Sequence, residues 1–299
     1  THDSTYVGGF KQGRREGEGT LKQGEMTYRG EFKDDQFSGI GHLELEDGSQ
    51  YQGQFAHGKP HGEGKRSDAS GNEFSGQFVN GDLEGNGIFN SADGDQYEGA
   101  FKNNQLNGKG RYENADGDVW IGEFKDGALT GQGELIGIDG SHYRGQFNEW
   151  RFNGPGHLSM PDGSSYVGEF AADTYHGHGT LTLSDGTVLS GEWRNGQRVR
   201  DAKGTVLPDP LELGLLNQGT LLNQALDAVA PSTPAVELYS LVLAGDGKQS
   251  VFKREAEYVN NMLASRFGSR GQISLINHRD HLLDRPMATR ENLYRAAKT

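Results

Sequence analysis

The 299 residues include 47 glycines, 8 prolines and no cysteine, with a mean hydropathy of -0.76 and a formal net charge of -13. So little proline argues against collagen-like and Pro/Gly-rich disordered chains, and no apolar run approaches the roughly 20 residues of a membrane-spanning helix. Without cysteine the chain itself supplies no disulfide, no thiolate zinc site and no thiol nucleophile.

Length alone predicts about two domains. Residues 1–200 hold 18 Lys and Arg against 31 Asp and Glu, while 201–299 hold 11 of each. The excess charge therefore falls on the glycine-rich part. There it repels nucleic acid and anionic headgroups, keeps the chain soluble and favours basic partners. Thr1 opens no signal-peptide pattern, so the chain reads as a mature or trimmed segment, with cytoplasm and periplasm both open as its location.

From residue 6 an aromatic-x-Gly-x-aromatic signature recurs. Its copies are Tyr6-Gly8-Phe10, Tyr28-Gly30-Phe32, Tyr51-Gly53-Phe55, Phe74-Gly76-Phe78, Tyr97-Gly99-Phe101, Trp120-Gly122-Phe124, Tyr143-Gly145-Phe147 and Tyr166-Gly168-Phe170, with a degenerate Leu189-Gly191-Trp193. The starts are spaced by one step of 22 and seven of 23 residues. Each of the first eight copies is followed by Gly-x-Gly, from Gly17/Gly19 to Gly177/Gly179, and then by an apolar residue, with Arg66 the exception. Asp-Gly pairs such as Asp47-Gly48 and Asp93-Gly94 close most copies.

Residues at i, i+2 and i+4 share one face of a strand. Each copy therefore predicts a β-hairpin whose glycines leave room for rings of the neighbouring strand, with Asp-Gly making tight turns of positive φ. One hairpin cannot cover its own aromatic face, so the copies stack into one antiparallel sheet. At about 9.6 Å per repeat, nine copies would span some 85 Å. The ring ladder reads as core, which leaves the opposite face for a ligand.

This pattern resembles the MORN repeat, over residues 6–196. The resemblance implies a scaffold that binds a protein partner or a copy of itself, and lipid binding is often proposed for such repeats. The acidic balance makes a membrane lipid the weaker expectation.

Beyond residue 200 the composition changes. Asp209–Val229 predicts one helix or two short ones, Pro231–Pro234 a linker, Glu237–Ala244 a buried strand and Gly245-Asp246-Gly247 a turn. Ser250–Phe267 predicts an amphipathic helix with Phe252, Ala256, Val259, Met262 and Leu263 on one face, capped by Ser250 and ended by Gly268. Ile273–Asn277 predicts a second strand, and Thr289–Lys298 another helix. This order opens a parallel α/β sheet. The expected organisation is a mainly β repeat domain at 1–199, a helical cap and linker at 200–235, and a partial α/β segment at 236–299.

Residues 238–268, 273–279 and 286–296 resemble the start of bacterial legumain-like, caspase-fold cysteine peptidases. The resemblance implies that the catalytic His and Cys follow beyond residue 299, supplied by a missing C-terminal half or a second chain. The family's asparagine near the first helix falls on Val251, and its basic pocket pair on Lys253 and Arg254. Asp246, at the carboxyl end of a strand, is a further candidate for that pocket.

Other candidates are weaker. Asp93-Gly94-Asp95 and Asp116-Gly117-Asp118 lack a full Ca²⁺-binding pattern and read as turns. His176-x-His178 lacks a third zinc ligand, and His278 and His281 have no better support. Gly-x-Gly at strand spacing is not a nucleotide-binding loop. Neither a metal nor a cofactor is expected.

Overall fold

The computed structural model describes residues 3–246, 250–278 and 281–298. The chain divides into two compact units, Thr1–Thr205 and Val206–Thr299.

The first unit is a single antiparallel sheet of 18 strands. Its hairpins are β1 (Ser4–Lys11) with β2 (Arg14–Gln23), β3 (Met26–Lys33) with β4 (Gln36–Glu44), β5 (Gln50–Ala56) with β6 (Lys59–Ser67), β7 (Glu73–Val79) with β8 (Asp82–Asn90), and β9 (Gln96–Lys102) with β10 (Gln105–Glu113). They continue as β11 (Val119–Lys125) with β12 (Ala128–Ile136), β13 (His142–Asn148) with β14 (Arg151–Ser159), β15 (Ser165–Ala171) with β16 (Thr174–Thr182), and β17 (Val188–Arg194) with β18 (Gln197–Asp201). Each hairpin also pairs with the next, so spatial order follows chain order throughout.

The turns differ from the expectation. Inside each hairpin two residues with positive φ make the tight turn, as Asn80 (φ 53°) and Gly81 (φ 99°) do. This twist matches that of the flanking strands. Asn, Asp and Gly fill most of these positions, but Trp150 (φ 72°) and Ala172 (φ 46°) are held there too. The Asp-Gly pairs lie instead in wider loops between repeats. Leu45 N–H donates to Ser49 C=O at 2.9 Å around Glu46, Asp47 and Gly48, and only the glycine is left-handed, at φ 84°. The link from β2 to β3 is one residue shorter, with Gln23 opposite Met26 around Gly24 and Glu25. That missing loop residue is the source of the 22-residue step.

The two glycines of Gly-x-Gly also serve different ends. The first, such as Gly108 at φ 108°, is left-handed at an irregularity of the ladder. An L side chain is strained there. The second lies beneath an aromatic ring, a tyrosine except at Gly87 and Gly133, where it is Phe101 and Phe147: a Cβ on Gly41 would meet Tyr28 Cε2 at 2.6 Å.

In the second unit α1 (Pro210–Leu216) and α2 (Gln218–Asp227) replace one possible long helix, with Asp209 capping α1. Next come β19 (Tyr239–Ala244), α3 (Ser250–Phe267), β20 (Gly271–Ile276) and α4 (Arg290–Ala296), capped by Thr289. Gly268 is left-handed (φ 62°) just past α3. β19 and β20 are parallel. Leu222 of α2 and Ala296 of α4 cover Ile273 and Leu275, while Ala256 of α3 packs with Ala244 and Ile276.

Two burial expectations fail here. β19 is half-exposed, with Tyr239 and Leu243 open to solvent, although β20, its ladder partner, is almost wholly buried. On α3 the buried positions are Ala256 and the polar Asn260, while Phe252 is exposed. Gly247 and the side chain of Ser250 lie outside the described residues.

Candidate functional site

The repeat sheet has two unlike faces separated by a row of glycines. One glycine from each of β1 to β17 pairs with the next across the ladders, from Gly8 opposite Gly19 through Gly99 opposite Gly110 to Gly179 opposite Gly191. Gly30, Gly53, Gly99 and Gly122, expected in the repeat core, all stand in this row.

One face is filled by rings. Tyr28, Phe32, Tyr51, Phe55, Tyr97, Phe101 and Phe124 are all buried, and Trp120 is partly buried against them. Tyr28 lies across the glycine row, and its hydroxyl donates to Glu31 C=O at 2.8 Å. Tyr51, Tyr97 and Tyr143 repeat that bond to Gln54, Ala100 and Gln146. Each such tyrosine meets the phenylalanine of the following copy edge-on, as Tyr28 meets Phe55 at 5.1 Å. Burial pushes the phenols of Tyr28, Tyr51, Tyr97, Tyr143 and Tyr166 up to about 12.

A second layer comes from the position just after each hairpin turn, which repeat-signature reasoning overlooked. Phe37 stacks on Tyr28 at 3.8 Å, Phe152 on Tyr143 at 3.7 Å and Tyr175 on Tyr166 at 3.9 Å. Where Phe74 or Trp120 replaces the tyrosine, Leu83 and Leu129 drop onto the glycine row and are fully buried. An apolar residue five places beyond the second aromatic was the available signal. Arg66, the break in the pattern, lies over Phe74 and Phe78 at 4.9 and 5.6 Å, where burial lowers the pKa of its guanidinium.

The opposite face is open, its charged and polar side chains interspersed with the exposed Val7, Ile40, Ile88, Ile121 and Val167. Residues flanking the glycine row line a groove of about 840 Å³ across β6 to β11, including Glu63, Ser75, Ile88, Glu98, Lys109 and Arg111.

The loop aspartates serve the backbone. Asp95 Oδ1 accepts Ala115 N–H and Asp118 Oδ1 accepts Ile138 N–H, both at 2.9 Å, tying each loop to the next. Hydrogen bonds from Ser49 and Ser141 hold the carboxyls of Asp47 and Asp139 below their usual range. His176 and His178 are exposed on either side of the left-handed Gly177. No group of three or more metal-ligating side chains occurs among the described residues.

In the second unit Asp246 follows β19, while Lys253 and Arg254 lie in the first turns of α3, with Arg254 exposed. Between α2, α3 and β20 is a polar cavity of about 520 Å³ lined by Glu257, Asn260, Gln272, Ser274 and Arg285. His281 sits near it, 3.2 Å from Glu257 and 2.9 Å from Asp284, and His278 is buried. No described helix is long and apolar enough to cross a membrane.

A family model described as the MORN repeat matches residues 6–23, 28–50, 51–73, 74–96, 97–119, 120–142, 143–165, 166–188 and 190–199. No curated protein matches the chain. Among solved structures, the chain is similar to the SAS-4 (dCPAP) TCP domain of Drosophila melanogaster, in complex with a proline-rich motif of Ana2 (dSTIL). Identity is 14%, over 52% of this chain and 84% of that one, with a TM-score of 0.33. A streptogramin B lyase shares 10% identity over 63% of this chain and 85% of its own, with a TM-score of 0.17. A catalytically inactive virginiamycin B lyase from Staphylococcus aureus with quinupristin shares 10%, over 66% and 77%, with a TM-score of 0.15. Likenesses this loose carry no argument about fold or function.

Proposed function

Because the chain belongs to the MORN-repeat family, whose repeats generally mediate protein or membrane interactions, we propose that it is an interaction scaffold that binds a protein partner or a second copy through its repeat sheet. One observation carries this reading: the aromatic face is consumed by its own packing, while the opposite face stays open, forming a groove across β6 to β11. A surface of that kind holds other molecules rather than transforming them. The net charge of -13 favours a protein over an anionic membrane as partner.

On this reading residues 1–199 bind, the segment expected at 200–235 as a cap and linker instead gives its helices α1 and α2 to the second unit, and with 236–299 it forms the beginning of an α/β domain that the repeats position. The parallel pair β19–β20 with α3 between its strands is compatible with the opening of a caspase-fold peptidase. Asp246, Lys253 and Arg254 would contribute to its pocket. The chain has no cysteine, so a thiol nucleophile would have to come from elsewhere.

Affinity capture with the full chain from its source cells, with light scattering of the purified chain, tests the scaffold reading. The expected result is a stoichiometric protein partner or a stable self-assembly. A monomer that retains no protein overturns it, and so does a chain that sediments with anionic vesicles at physiological salt while retaining no protein. Peptide cleavage by the purified chain would overturn the requirement that the nucleophile come from elsewhere.

A further inference from the structure

On each repeat strand the residues just before and just after the row glycine point away from the rings. They form two walls along the open face, and the walls differ in charge. One contains Arg29, Lys65, Arg111 and Arg144 together with Glu98 and Glu134. The other contains Glu18, Glu31, Glu63, Glu123, Glu169 and Glu192, with Lys109 its one cation among β1 to β17.

Glu192 is already paired with Arg200 at 3.2 Å. Glu18, Glu31, Glu63, Glu123 and Glu169 form no ion pair among the described residues, although Glu31 accepts Ile40 N–H, Glu63 accepts from the Gln77 amide, and Lys109 stands opposite Glu123. Independently of this count, Glu18 stands directly opposite Glu31 in the β2–β3 ladder. Facing like charges weaken an antiparallel pair, and a cation laid between them would relieve the repulsion.

The floor between the walls is bare glycine backbone whose amides serve the sheet. The wall residues of one strand are two positions apart, about 6.7 Å between Cα atoms. A helix, at about 10–12 Å across its side chains, is too wide for that floor, whereas one extended chain fits it. Ile40, Ile88 and Ile121 are exposed on the same face and offer apolar contact to such a chain.

We propose that this face takes an extended polypeptide segment rich in lysine or arginine, lying across the strands along the glycine floor with its cations against the glutamate wall. The proposal rests on the scaffold reading above and names the chemistry of its partner.

Fluorescence anisotropy with the full chain and two labelled decapeptides tests it, one alternating lysine with threonine and the other glutamate with threonine. The lysine peptide is expected to bind and the glutamate peptide not. The Glu18→Gln/Glu31→Gln/Glu63→Gln variant should weaken binding by about tenfold or more, as loss of several charge pairs requires. Glu18→Gln alone should raise the urea midpoint. Asp93→Asn/Asp116→Asn/Asp139→Asn, on the loop edge, should leave binding unchanged.

Equal binding of both peptides, unchanged affinity in the glutamine variant, or an equal loss in the loop-edge variant overturns the proposal. A glutamine variant that still retains the captured protein partner removes this face and leaves the scaffold reading standing. A wild-type chain that retains neither a partner nor a second copy removes both.

Discussion

Tyr51 occupies the space that a side chain on Gly64 would need: a Cβ there would meet Cε2 of the ring at 2.6 Å. The ring is held on its other side by Phe55 and Phe78, each 5.0 Å away edge-on, so it has nowhere to retreat. Gly64→Ala is expected to cost about 2–3 kcal/mol through overpacking. Gly219→Ala, in α2 with open space around it, should instead gain about 0.5–1 kcal/mol. Urea unfolding of the two variants checks both signs; a neutral Gly64→Ala would mean the ring is not fixed.

The buried phenols make the repeat sheet sensitive to alkali. An unfolded tyrosine ionises near 10.0, whereas Tyr28, Tyr51, Tyr97, Tyr143 and Tyr166 are pushed up to about 12 in the fold. A raised pKa means that the unfolded chain releases its protons first. The neutral phenols therefore stabilise fully below pH 10 and lose that contribution as pH climbs from about 10 through about 12. Thermal melts across this range, with phenolate absorbance as a second signal, should show a steep decline that Tyr97→Phe makes shallower. A melting point flat to pH 12 would contradict the burial of these hydroxyls.

Ala172 is held at φ 46° in the turn between β15 and β16, where most repeats place Asn, Asp or another residue tolerant of that conformation. An L residue with an apolar side chain is strained there. Ala172→Asn should stabilise the chain by about 0.5–1 kcal/mol, read as a higher denaturant midpoint at constant slope.

Arg66 substitutes a guanidinium for the leucine or aromatic residue that most copies carry. Its stacking on Phe74 and Phe78 recovers part of the lost packing, but its charge is desolvated. Arg66→Leu is expected to be neutral or to stabilise by up to about 1 kcal/mol, since a buried charge replaced by a fitting apolar group commonly does so. A loss beyond 1 kcal/mol would show that the guanidinium carries more than packing.

Sequence reasoning reached the hairpin sheet because Tyr28, Gly30 and Phe32 repeat a strand period that has one packing solution. It placed Asp47-Gly48 in a tight turn because that pair favours one, yet Leu45 and Ser49 close a wider loop around it. Phe37, Leu83 and Phe152 escaped notice because their position alternates among rings, leucine, proline and arginine, and only stacking on the row reveals a shared role. The unequal walls were also hidden. Glu18 and Glu31 are thirteen positions apart in the chain and become neighbours through the register alone. In the second unit, Phe252 follows helical periodicity but finds no cover, while Asn260 is buried against Ser274.

Every ladder of the large sheet joins strands adjacent in the chain. Contacts of such short sequence separation close small loops, which favours rapid, stepwise assembly from any starting hairpin. The same locality frees length from architecture. Duplicating or excising one copy would move the ends by about 9.6 Å and require no rewiring elsewhere, so the ribbon works as a ruler whose reach evolution can reset by whole graduations.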